Sequence, residues 1–232
     1  MEHPKKPLPA LQRSEKYIGL AYLIFQMMLL PLLIGLVLGA FSSEINSTLA
    51  NFLYFFVNFI CTIAIFSKLL KKSFLRAAAN WEGLFITTII GFAVYRACET
   101  ALGILVFVLF PDFSNLNDGA LVEILGEYPL IMLLSTVILA PVAEELLHRG
   151  LIFGWLQEKN EYMAYGLSAF LFSAIHVVQY IGLYSAAHIF VALMLYLPAG
   201  LVFAWTYRRS GTILSPILIH TANNLLAFLF VR

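Results

Sequence analysis

Glu144 and Glu145 stand side by side, with Arg149 four residues beyond the second, in a stretch whose neighbours are otherwise mostly apolar. His176 lies near the end of a second apolar stretch with Phe172 one helical turn before it, and His220 and Asn224 stand four apart in a third. A charge inside a bilayer costs about 3 kcal/mol even on the lenient insertion scale, so ionisable side chains in such surroundings point to function. The chemistry these residue types support is hydrolysis. A carboxylate and an imidazole sharing a water can take its proton, while imidazole and amide donors on a facing helix stabilise the oxyanion formed at the attacked carbonyl. Glu145 and Arg149 are in the favourable order for an ion pair one turn apart. Adjacent residues project about 100° apart on a helix, so the two glutamates cannot do the same job. Glu144 is assigned as the base and Glu145 as its positioning partner, held ionised by Arg149.

Positioning these groups falls to hydrophobic helices. The chain is 61% hydrophobic and only 12% charged, far more apolar than a soluble core of 232 residues can bury. Its apolar runs, Tyr17–Phe41, Ala50–Leu70, Leu84–Phe110, Pro129–Leu156, Tyr162–Val178, Ser185–Tyr207 and Thr212–Val231, are long enough to cross a hydrocarbon core of about 30 Å. The expected fold is an all-α polytopic membrane bundle of about seven to eight transmembrane helices, with an additional short helix in 111–128 supplying one route to the eighth. At a rise of about 1.5 Å per residue from the span ends, Glu144, Glu145 and Arg149 lie roughly 18, 16 and 10 Å deep. His176, His220 and Asn224 lie roughly 21, 12 and 18 Å deep on the same measure, so all six fall within one slab. Pro141 and Pro216, each shortly before a polar cluster, are expected to open the helices locally.

Basic residues set the orientation. Lys5, Lys6, Arg13 and Lys16 precede the first span, Lys68, Lys71, Lys72 and Arg76 follow the second, and Arg208 and Arg209 precede the last, whereas 42–49 and 111–128 hold no Lys or Arg. The positive-inside rule then predicts a cytoplasmic amino terminus. The chain divides into a basic tail, 1–16, amino-terminal transmembrane helices and loops, 17–127, and a catalytic intramembrane domain, 128–232. A formal net charge of +1 without a concentrated basic face argues against a nucleic-acid partner. Cys61 and Cys98 both lie in apolar stretches and read as membrane-buried thiols rather than a disulfide. Arg96 and Glu99, three apart in the third span, are expected to neutralise each other, with Arg96 also able to approach the site. His148 and His188 read as packing histidines.

The order Glu-Glu-x-x-x-Arg, Phe-x-x-x-His, His-x-x-x-Asn over three hydrophobic segments resembles the CPBP family of intramembrane endopeptidases, which includes CAAX prenyl endopeptidases and bacteriocin-processing or self-immunity proteins. Glu144, Glu145 and Arg149 match the first motif, Phe172 and His176 the second, and His220 and Asn224 the third. The resemblance implies an endopeptidase of the bacterial plasma membrane acting on a membrane-associated peptide or protein. It implies that Glu144 with His176 activates water, and that His220 and Asn224 form the oxyanion site; Phe172 is assigned to substrate binding. No cofactor is assigned. A zinc-type alternative stays open, because Glu144 and His148, four apart, could join His176 and His220 around a divalent ion. His148 departs from the family pattern, where an aromatic or apolar residue is common. A noncatalytic adaptor or bacteriocin self-immunity protein of the same fold is the competing reading.

Overall fold

A computed structural model describes residues 7–41, 46–113 and 128–230. It is all-helical among these residues apart from short turns and one isolated bridge. The elements are α1 (Arg13–Met28), α2 (Leu30–Phe41), α3 (Ser47–Ile65), α4 (Ser67–Ala79), α5 (Trp81–Leu109), α6 (Pro129–Leu156), α7 (Glu161–Val177), α8 (Ala186–Ser210) and α9 (Leu214–Phe230). Five of them, α3 and α5 to α8, are long and apolar enough to cross a membrane, and α1 with α2, bent by 49°, has the length and composition of a sixth when the two are taken together. The bend falls just before Pro31, whose ring cannot continue the α1 hydrogen-bond ladder. The last expected span, α9, is apolar but has 17 residues, a rise of about 25 Å. The protein is thus a polytopic helical membrane protein. The short helix expected within 111–128 lies almost entirely outside the described residues.

Helix ends follow local chemistry. Asn46, Asn160 and Ser185 cap α3, α7 and α8 by accepting from the backbone N–H of Leu49, Met163 and His188. The α8 helix ends on Gly211 at φ 72°, a left-handed position that costs glycine no Cβ clash. Glu15 does double duty: one carboxylate oxygen accepts from the Gln12 backbone at 2.8 Å, the other from Leu69 N–H at 2.9 Å. A buried acid is thereby placed in the first turns of both α1 and α4, where helix dipoles favour it.

The α4 helix was not among the expected spans, and its sequence explains why. Leu69, Ser73 and Ala77 form a buried stripe, and outside it Lys68, Lys71, Lys72 and Arg76 alternate with exposed Phe74 and Leu75, a pattern suited to lying along an interface rather than crossing it. Its cations fasten one end of the bundle. Lys68 donates to Gln12 Oε1 at 2.7 Å, Lys72 to the Ala10 carbonyl at 2.8 Å, and Arg76 to the carbonyls of Pro7 and Gly211. Thr212 Oγ1 donates to the Ser73 carbonyl at 3.1 Å, while Lys16–Glu158 and Arg208–Glu161 pairs at 2.9 and 3.2 Å close the same end. Beneath them lies an apolar core of Phe66, Leu69, Leu146, Leu151, Phe153, Tyr207 and Ile213.

Candidate active site

The two glutamates lie at a change of helical register. Within α6 the segments Leu134–Leu139 and Leu146–Phe153 are wound as π-helix, flanking an α-helical Ala140–Glu145. Such widened turns leave backbone groups without partners and recur at functional sites. Pro141 gives a cause for the first. The Ala140 N–H bonds the Ser135 carbonyl five residues back, and the next bond in that register would run from residue 141 to Thr136. Proline has no N–H to give. The freed Thr136 carbonyl instead accepts from Asn224 Nδ2 at 2.9 Å, which stitches α9 to α6. Pro216, in contrast, sits in the first turn of α9, where no N–H is needed, so the opening expected there is replaced by a helix start.

Arg149 and Glu145 are completely buried and paired at 3.0 Å. The other terminal nitrogen of Arg149 donates to the carbonyls of Ala199 and Gly200, each at 3.1 Å, and its guanidinium lies 4.2 Å above the Phe172 ring. These carbonyls and the Phe172 face desolvate the cation while supplying it with negative electrostatic potential. The same Glu145 oxygen that meets Arg149 also lies 2.9 Å from His220 Nδ1. Glu145 thus joins α6 to α9, and Arg149 joins α6 to α8.

Glu144 is placed differently. Its Oε2 is buried with no hydrogen-bond partner, 3.8 Å from His176 Nε2 and 3.9 Å from His220 Nε2. His176 Nδ1 lies 2.8 Å from the Phe172 carbonyl, which can only accept, so that nitrogen carries the proton and Nε2 presents its lone pair when the ring is neutral. Tyr196 stacks on the imidazole at 4.4 Å and fixes its plane. Phe172, buried between the rings of His176 and His220 at 4.7 and 5.7 Å, forms the aromatic wall expected of it. Glu144, His176, His220, Phe172 and Asn224 all line one cavity of about 1260 Å³, to which α2, α3 and α5 also contribute.

The structure therefore brings Glu144, Glu145, Arg149, Phe172, His176 and His220 together directly, and sets Asn224 on the same cavity with one amide hydrogen committed to Thr136. His148 turns away: its Nδ1 donates to the Glu144 backbone carbonyl at 2.8 Å and its ring packs edge-on against Phe172. Among the described residues no group of three or more His, Cys, Asp or Glu side chains is disposed to hold a metal ion. His188 packs on Phe113 and Tyr184, and both cysteines are free thiols. Arg96 pairs with Glu99 and also reaches the site helix, donating to Asn223 Oδ1 at 3.1 Å. Unforeseen from the sequence were Tyr196, Thr136, Asn223 and the Ala199–Gly200 carbonyls. Only Thr136 had a signal, the proline five residues on.

The family described as type II CAAX prenyl endopeptidase Rce1-like matches residues 126–226, which hold every motif residue named above. "Putative membrane peptidase YdiL" of Bacillus subtilis (strain 168) is 26% identical over 219 residues, 90% of this chain and 85% of that protein. The "UPF0177 protein YxdF" of Lactococcus lactis subsp. lactis (strain IL1403) is 26% identical over 167 residues, 70% of this chain and 87% of that protein. No solved structure gives a significant match. The buried acid–arginine pair, the two facing imidazoles and the matched region coincide: residues 126–226 match the Rce1-like type II CAAX prenyl endopeptidase family, and the chain is similar over most of its length to the "Putative membrane peptidase YdiL".

Proposed function

We propose that the protein is an intramembrane endopeptidase that hydrolyses a peptide bond in a membrane-associated peptide or protein, using water activated by Glu144. The observation that carries this reading is the contrast between the two glutamates: Glu145 is held through Oε1 by Arg149 and His220, whereas Glu144 makes no close pair and sets its Oε2 3.8–3.9 Å from two imidazole nitrogens at a cavity wall. A water lodged among these three atoms can give hydrogens to Glu144 Oε2 and His176 Nε2, leaving its oxygen lone pair free to attack. His220, braced by Glu145 at Nδ1, donates from Nε2 as an imidazolium; with one such proton the cluster of two carboxylates and one guanidinium is electrically neutral. That donor and the second amide hydrogen of Asn224 are assigned to the oxyanion. Arg149 holds Glu145 and touches no substrate, which makes it a positioning residue. The catalytic unit is assigned to 128–232, in a bacterial plasma membrane with the amino terminus in the cytoplasm.

The test is quantitative mapping of protein termini in membranes and medium from cells carrying the wild-type protein, a deletion, or Glu144→Gln at matched abundance. Precursors that accumulate equally in the deletion and the variant support hydrolysis. Unchanged termini, with Glu144→Gln restoring the deletion phenotype, overturn it in favour of a noncatalytic adaptor or self-immunity protein.

A further inference from the structure

The cavity is one-sided. The contacts of α4 gather Pro7–Gln12 and Gly211–Ile213 at one end of the bundle, where the Lys16–Glu158 and Arg208–Glu161 pairs also lie, the end that carries Lys16, Lys68, Lys71, Lys72, Arg76, Lys159, Arg208 and Arg209. None of the cavity lining comes from that end: α4, the segment before α1, and the α6–α7 and α8–α9 connections contribute no residue among those described. The lining runs instead from Glu144, His220 and Phe203 toward Val106, Phe107, Phe113, Tyr180, Leu183 and Phe228, the opposite ends of α5, α7 and α9. The depths agree. Glu144 lies twelve residues from the basic end of α6, and its carboxylate faces lining residues Ala140, Thr136 and Met132, each about one turn farther from that end.

By the positive-inside rule the basic end is cytoplasmic. We infer that the site takes its substrate from the extracytoplasmic side, as a peptide segment of an exported or membrane-anchored polypeptide; this rests on the endopeptidase reading above.

Sidedness is measured by single cysteines in a Cys61→Ser, Cys98→Ser background. Phe107→Cys and Leu183→Cys are expected to react with a membrane-impermeant maleimide added to intact cells, and Lys71→Cys only after permeabilisation. The reverse pattern overturns the inference. Glu144-dependent new termini are expected in extracytoplasmic segments of their precursors, and termini confined to cytoplasmic segments equally overturn it. If the labelling holds but no Glu144-dependent terminus exists, the sidedness of the cavity stands and the endopeptidase reading fails.

Discussion

Glu144 and Glu145 are neighbours with opposite energetic situations. Removing the charge of Glu145 by Glu145→Gln strands Arg149 at zero exposure with carbonyls but no counter-charge, a change that costs about 3–5 kcal/mol for buried pairs. The expected outcome is a clear drop in thermal-unfolding midpoint and in abundance. Glu144→Gln loosens only the 3.8–3.9 Å contacts with two imidazoles and leaves the close Glu145–Arg149 pair intact, so it is expected to leave the midpoint within a degree or two while activity falls at least about 100-fold, the usual scale of a lost general base. Equal destabilisation by the two variants would contradict their assigned division of labour. Much of this was legible in the sequence: the four-residue spacing gave the Glu145–Arg149 pair, and the rise per residue gave the common depth of the motif residues. The acceptors of the remaining Arg149 donors were not legible, because backbone carbonyls carry no residue identity. Tyr196 was hidden for a related reason, being one of many aromatics in an apolar span.

At the scale of the elements, the joint between α6 and α9 depends on a missing hydrogen. Asn224→Ala leaves the Thr136 carbonyl unpaired, which is expected to cost about 1–3 kcal/mol. In a Pro141→Ala background the backbone N–H restored at that position can serve the carbonyl, so the same Asn224→Ala change is expected to cost distinctly less. A double-mutant cycle on unfolding in detergent measures the difference, and an unchanged cost in both backgrounds contradicts the account. The α7–α8 contact makes a second prediction. A Cβ on Gly200 would lie 2.7 Å from the Ala169 Cα and Cβ and 3.0 Å from its carbonyl oxygen. Gly200→Ala must therefore push two backbones apart, lowering stability by about 1–3 kcal/mol and shifting a carbonyl that holds Arg149. Helix existence was readable from apolar runs. The π turns were not, since register is decided by packing and by one proline rather than by composition. The interfacial α4 was missed because its apolar stripe is a short one, set among four cations.

For the whole molecule, composition alone settled the class, as no soluble core could absorb so much apolar surface. The count of spans depended on more: the bend before Pro31 and the short α9 show how length in sequence differs from length across a bilayer. Basic residues collected at one end, and the cavity collected at the other, give the molecule a polarity that neither motif spacing nor depth could supply. In the proposed reaction, water attacks a peptide bond in that cavity under the control of Glu144. Oxygen-18 incorporation measures that attack: purified protein in lipid vesicles is fused with membranes from the deletion strain in oxygen-18-enriched water, and new carboxyl termini are read by mass spectrometry. Labelled termini with wild-type protein, and none with Glu144→Gln, are the predicted result; equal labelling by both proteins contradicts the account.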